Sequence, residues 1–159
     1  MDSGRAGETE LQRADRNWDE LLQELRVTQT GVAILFSALL TLPFSARFGA
    51  VTSGQRDVYL TALVLSALTT VTLIAPVAYH RLLFGTGHKA GLVVLGNRLA
   101  RLGLGLLVLT LVAVLLLVLL VLLEDRLASL SAIAFAAFTA ALWFVPALLL
   151  RRREADRTP

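Results

Sequence analysis

The sequence predicts an all-α fold: an integral membrane four-helix bundle preceded by an amphipathic N-terminal juxtamembrane helix. Three observations predict it. Residues 102–123 form an unbroken apolar run in which Thr110 carries the one hydrogen-bonding side chain. As a helix, that run covers about 33 Å, the thickness of a bilayer's hydrocarbon core. Three more apolar runs stand at 27–44, 58–78 and 127–150. The chain of 159 residues is 56% hydrophobic with mean hydropathy +0.70, more than a soluble domain of this length needs for its core.

Residues 1–26 are hydrophilic, with four Arg against seven Asp and Glu, and read as a cytoplasmic N-terminal segment. Leu11, Ala14, Trp18, Leu21, Leu22 and Leu25 recur at spacings of three and four, the stripe of an amphipathic helix. Residues 27–150 form the four-span transmembrane domain. The first span is polar where it begins: Thr28, Gln29 and Thr30 are expected at a solvated helix end, and Pro43 is expected to stop the helix. A loop follows, closed by the turn signal Ser53-Gly54. Tyr59 and Tyr79 flank the second span as interfacial rings, and Pro76 loosens its last turn. Gly85-Thr86-Gly87 reads as a turn, and the third helix is expected to begin near Lys89, before its apolar run. Glu124-Asp125-Arg126 makes a tight hairpin, so spans three and four are antiparallel neighbours. Residues 151–159 are a basic cytoplasmic tail.

Charge sets the orientation. Twelve of the 15 Lys and Arg fall in residues 1–26, 79–101 and 151–159, against three in the other two loops. That asymmetry predicts cytoplasmic termini and a cytoplasmic middle loop. Because helices in lipid approach most closely through small residues, the stripes Ala33-Ser37-Thr41, Ala62-Ser66-Thr70 and Ala128-Ala132-Ala136-Ala140 are expected to pack. The third span has no such stripe and is expected to show the most surface to lipid.

The chain has no cysteine and two histidines, which excludes disulfides, thiolate metal sites and a cysteine nucleophile. No motif for a serine hydrolase or zinc protease occurs, so no catalytic, cofactor-binding or metal-binding residue is expected and the protein reads as no enzyme. The four runs lack Asp, Glu, Lys, Arg and His, the groups that usually move protons or ions through a membrane. A solute or ion path lined by hydroxyls such as Ser37, Thr41, Ser66 and Thr70 is the alternative. His80, without a paired acid nearby in sequence, reads as an interfacial residue. The Arg-rich tail marks a membrane boundary, and no nucleic acid is expected.

The segments 24–31, 42–44, 74–81 and 97–99 resemble a family of small bacterial four-span integral membrane proteins known as a domain of unknown function, over roughly 18–123. The resemblance implies that the polar start of span one and the Ala-Pro-Val-Ala-Tyr-His-Arg end of span two are the family's signature. It implies no activity. Topology then brings Arg26, Gln29, His80, Arg81, Asn97 and Arg98 to one cytoplasmic edge, the candidate interaction site. The expected role is packing, without enzymatic activity, against the lipid bilayer, a second copy or a membrane-protein partner at a bacterial inner membrane. Asp15, Asp19, Glu20 and Glu24 are expected to meet Arg81, Arg98, Arg101 and Arg151, folding the N-terminal helix back as a lid on the bundle.

Overall fold

The computed structural model describes residues 9–82 and 89–155. Four long helices account for nearly all of them: α1 (Glu10–Thr41), α2 (Ser53–Leu82), α3 (Lys89–Leu122) and α4 (Asp125–Ala155). Two short 3-10 turns, Leu42–Phe44 and Phe48–Ala50, connect α1 to α2. All four helices are long and apolar enough to cross a membrane, and they pack as a bundle. The expected Gly85-Thr86-Gly87 turn lies outside the described residues.

Each helix overruns its apolar run. α1 opens on a capping box in which Thr9 Oγ1 accepts from the Gln12 N–H at 3.3 Å while Gln12 Oε1 accepts from the Thr9 N–H at 2.9 Å. From there it runs unbroken for 32 residues, so the amphipathic helix and the first span are one rod. The expected lid is therefore not formed: folding back requires a break in the helical hydrogen-bond ladder, and α1 has none. α2 starts on the same device, Thr52 with Gln55, which places Ser53-Gly54 in the first helical turn and not in a loop. Pro43 ends α1 as expected and sits at the start of the first 3-10 turn. Leu123 and Glu124 alone separate α3 from α4, so those two are antiparallel neighbours.

α3 packs on α1, α2 and α4, whereas α4 packs on α3 alone among the described residues. This reverses the expectation that the third span faces lipid most. The cause is glycine rather than an alanine stripe. A Cβ on Gly103 would overlap Leu73 Cδ2 and stand 2.9 Å from Leu73 Cγ, so α2 and α3 approach there too closely for any side chain.

The buried positions repeat every 3.5 residues, as in a left-handed supercoil. On α1 they are Trp18, Leu25, Val32 and Leu39; on α2, Tyr59, Ala62, Ser66, Thr69, Leu73 and Pro76; on α3, Leu92, Gly96, Gly103, Thr110, Ala113 and Leu117. A strict every-fourth-residue line cannot follow that seam. Each step of four overshoots a full turn by about 40°, so Ala140 stands about 120° from Ala128, while Thr139 stands about 20° away. Accordingly Ala128, Ala132 and Thr139 are buried, Ala136 is half-buried and Ala140 is exposed. The expected stripe Ala33-Ser37-Thr41 lies wholly on the exposed side of α1.

Two apolar clusters make the core. Leu25, Val32 and Leu73 form one, and Leu39, Tyr59, Ala62, Ala113 and Leu117 the other. Between them along α2 lies a hydroxyl layer of Ser66, Thr69 and Thr110, all 0% exposed. Thr69 Oγ1 and Thr110 Oγ1 are 3.1 Å apart and lie 2.7 and 2.8 Å from the carbonyls of Leu65 and Leu106. Two hydroxyl protons serve three contacts, so one of the three is without a proton at any moment.

Candidate functional site

At the end of the bundle where α2 finishes and α3 begins, the amphipathic stripe of α1 docks. The Trp18 indole stacks on the His80 imidazole of α2 with centroids 5.4 Å apart and planes 21° apart. Its other neighbour is Gly96 of α3, where a Cβ would stand 2.8 Å from Trp18 Cζ3. Glycine is what admits the ring. Trp18 is 7% exposed, and its Nε1 is buried without a hydrogen-bond partner among the described residues. Leu21 and Leu22 are half-buried beside it and Leu25 is buried below. The side chains of Leu11, Ala14 and Asp15 lie outside the described residues.

One turn past Leu25, Gln29 Nε2 donates to the Leu73 carbonyl at 2.7 Å. Pro76 stands three residues on from that carbonyl, inside the same helix. The proline has no N–H for the Thr72 carbonyl four residues back, and its ring crowds the preceding turn, loosening the helix next to Leu73. Gln29 is thus a tie between helices and not a solvated helix end. Thr28 and Thr30 bond within their own helix, donating to the carbonyls of Glu24 at 3.2 Å and Arg26 at 2.9 Å.

Of the six candidate residues, Gln29 and His80 are built into this joint, while Arg26, Arg81, Asn97 and Arg98 are exposed around it. The side chains of Arg26, Arg81 and Arg98 make no hydrogen bond or ion pair among the described residues. Arg101 Nε donates to the Asn97 carbonyl at 3.3 Å. The expected acid–base pairing is not formed among the described residues: Glu20 pairs with Arg16 on its own helix at 3.7 Å, and Asp19 and Glu24 are exposed. Once the Trp18–Leu25 stripe faces α2 and α3, those acids are turned toward the flanks and back of α1. The Arg151 side chain lies outside the described residues.

The hydroxyls proposed to line a path face different surroundings. Ser37 and Thr41 are exposed on α1, Ser66 is enclosed, and Thr70 is half-buried with its hydroxyl donated to the Ser66 carbonyl at 2.8 Å.

Sequence reasoning left Trp18, Gly96 and Leu73 out of the site. One signal pointed to the third. Pro76 frees the Thr72 carbonyl and loosens the helix next to Leu73, and Gln29 is the sole side-chain amide in the four apolar runs. No local signal singles out Gly96 from the chain's other ten glycines.

The two segments that define this joint, 24–31 and 74–81, lie well inside a single family match. A model described as "Family of unknown function (DUF6328)" covers residues 7–147. The chain belongs to that family. The DUF6328 match takes in both halves of α1 and reaches into α4, so the amphipathic stripe lies within the matched region. No curated protein and no solved structure matches the chain.

Proposed function

We propose that this DUF6328 member is a non-enzymatic multi-pass protein of a bacterial plasma membrane, with both termini cytoplasmic, that works by contact. Its basic edge packs against anionic lipid and holds the α1 rod upright for a second copy or a protein partner. The observation that supports this reading is the exposed trio Arg26, Arg81 and Arg98, one from each of α1, α2 and α3, set around a buried joint. A cation at an anionic membrane surface contributes about 1 kcal/mol, so three held together give a preference of up to about 3 kcal/mol. The acids fit the same picture. Asp19, Glu20 and Glu24 lie on the far side of Arg26 from the apolar run, where an upright helix keeps them away from like-charged headgroups.

The test uses full-length protein in nanodiscs with spin-labelled phosphatidylglycerol and phosphatidylcholine. The wild type is expected to immobilise phosphatidylglycerol preferentially, and the combined Arg26→Gln, Arg81→Gln, Arg98→Gln variant to lose the preference. Equal lipid preference in both proteins would remove the basis for the proposal. Orientation is read from single cysteines in the cysteine-free chain: Ser53→Cys is expected to react with an impermeant label in intact cells, and Thr86→Cys and Thr158→Cys to stay unlabelled. Solute or ion flux in liposomes above that of empty vesicles would instead favour the hydroxyl-lined path.

A further inference from the structure

The opposite end of the bundle carries an open cleft of about 730 Å³ between the 42–51 segment, the start of α2 and the last turns of α3. That size falls within the roughly 300–1,000 Å³ of small-molecule sites. Its walls are apolar, with Leu42, Phe48, Val51, Leu117 and Val121 among them.

The side chains of Tyr59 and Gln55 are already occupied. The Tyr59 hydroxyl donates to the Leu39 carbonyl at 3.2 Å, and its ring meets Phe48 edge-on at 5.1 Å. Gln55 Oε1 accepts from the Thr52 N–H at 3.1 Å, and its Nε2 donates to the Leu120 carbonyl at 2.7 Å. That carbonyl is orphaned because α3 ends at Leu122, so Gln55 caps one helix start and one helix end together. Arg47 on the rim and the Ser45 hydroxyl are exposed and make no side-chain hydrogen bond or ion pair among the described residues. On the α3 side the cleft runs without interruption onto Val118, Val121 and Leu122, which are 48%, 63% and 70% exposed on a membrane-spanning helix.

We propose that this cleft binds one phospholipid from the surrounding bilayer, with an acyl chain along Phe48, Tyr59 and Leu117 and the phosphate on Arg47. The chemistry commits to that occupant. Apart from the Ser45 hydroxyl the lining offers a polar solute no free side-chain group but Arg47, the opening faces lipid, and that cation stands at the rim where a headgroup follows its chain. A phosphate held by a charged hydrogen bond is worth about 1.5–3 kcal/mol, so losing Arg47 is expected to weaken retention at least about tenfold.

The experiment is native mass spectrometry of the full-length protein with phosphatidylglycerol. It is run in the Arg26→Gln, Arg81→Gln, Arg98→Gln background, so that lipid held at the basic end is not counted and the two proposals fail separately. In that background one lipid is expected to survive mild gas-phase activation. Adding Arg47→Gln should reduce its retention about tenfold or more, and adding Val121→Trp, which fills the mouth, should abolish it. Both positions are exposed, and unchanged circular dichroism would show that the variants fold. Identical lipid ladders in all three proteins would mean ordinary boundary lipid and overturn the site. So would loss of lipid in Arg47→Gln with retention in Val121→Trp, which would put the headgroup on Arg47 without the cleft. A dimer abolished by Val121→Trp, in place of a retained lipid, would assign the cleft to a second copy.

Discussion

Replacing Gly103 by Ala adds one methyl group where α2 and α3 are closest. Its carbon would overlap Leu73 Cδ2, stand 2.9 Å from Cγ and 3.7 Å from Thr72 Cγ2. Leu73 has little room to turn away: it is 0% exposed, packs with Leu25 and Val32, and its carbonyl is tied to Gln29. Overpacking of this kind costs about 1–3 kcal/mol, while alanine in place of glycine favours the helix by about 1 kcal/mol, leaving a net loss of about 0–2 kcal/mol. Gly105 supplies the control two residues away. A Cβ there meets nothing within 4 Å, so Gly105→Ala keeps the helix gain without the clash. Taking the difference between the two variants cancels the propensity contribution and isolates the overpacking, about 1–3 kcal/mol. The assay is reversible unfolding in mixed micelles titrated with dodecyl sulfate, followed by circular dichroism. A double-mutant cycle adds the partner: in the Gly103→Ala background, Leu73→Ala should cost less than the roughly 2–5 kcal/mol it costs alone, because it removes the atoms in collision. Equal stability of Gly103→Ala and Gly105→Ala, or strict additivity with Leu73→Ala, would refute the close approach.

Three further outcomes follow from the same contacts. Gln29→Ala removes the interhelical donor to the Leu73 carbonyl and should lower stability by about 0.5–2 kcal/mol in the same titration, whereas Thr30→Ala, which cuts a bond within one helix turn, should lower it less. Ala132→Leu should destabilise the α3–α4 contact by about 1–3 kcal/mol and Ala140→Leu should be close to neutral; the reverse order would restore the every-fourth-residue line. Gly96→Ala should dislodge the indole packed on it, read as a red shift of Trp18 emission in a Trp143→Phe background, and an unshifted spectrum would mean that Trp18 is not held by α3.

How much of this could be read from the chain depended on whether the two faces of a helix met different solvents. In the aqueous half of α1 they do, so Trp18, Leu21, Leu22 and Leu25 stand out among Arg, Asp and Glu, and the structure buries Trp18 and Leu25 and half-buries the two leucines between them. The same seam continues as Val32 and Leu39, but there it runs through Ala, Ile, Leu and Phe. Hydropathy cannot separate a buried leucine from one facing lipid, and the periodicity disappears from view while the packing goes on unchanged. Small-residue spacing was the remaining guide. It succeeded for Ala128 and Ala132 over one helical turn and failed by Ala140, because a step of four drifts away from a 3.5-residue seam.

The capping boxes at Thr9-Gln12 and Thr52-Gln55 were legible in principle, since a threonine followed three residues later by glutamine is a local signal of helix start. What local sequence cannot hold is a partner 44 or 65 residues away, as for Gln29 with Leu73 and Gln55 with Leu120. By itself the sequence determined that there are four helices, that they are long and apolar enough to span a membrane, and that successive ones run antiparallel, because length, hydropathy and loop size are local quantities. Only the tertiary structure decided that α3 stands at the centre, that α4 touches α3 alone among the described residues, and that Trp18 closes on His80 and Gly96. Each of those is a choice among equally apolar faces, settled by which backbones can come closest and which orphaned carbonyls find a donor.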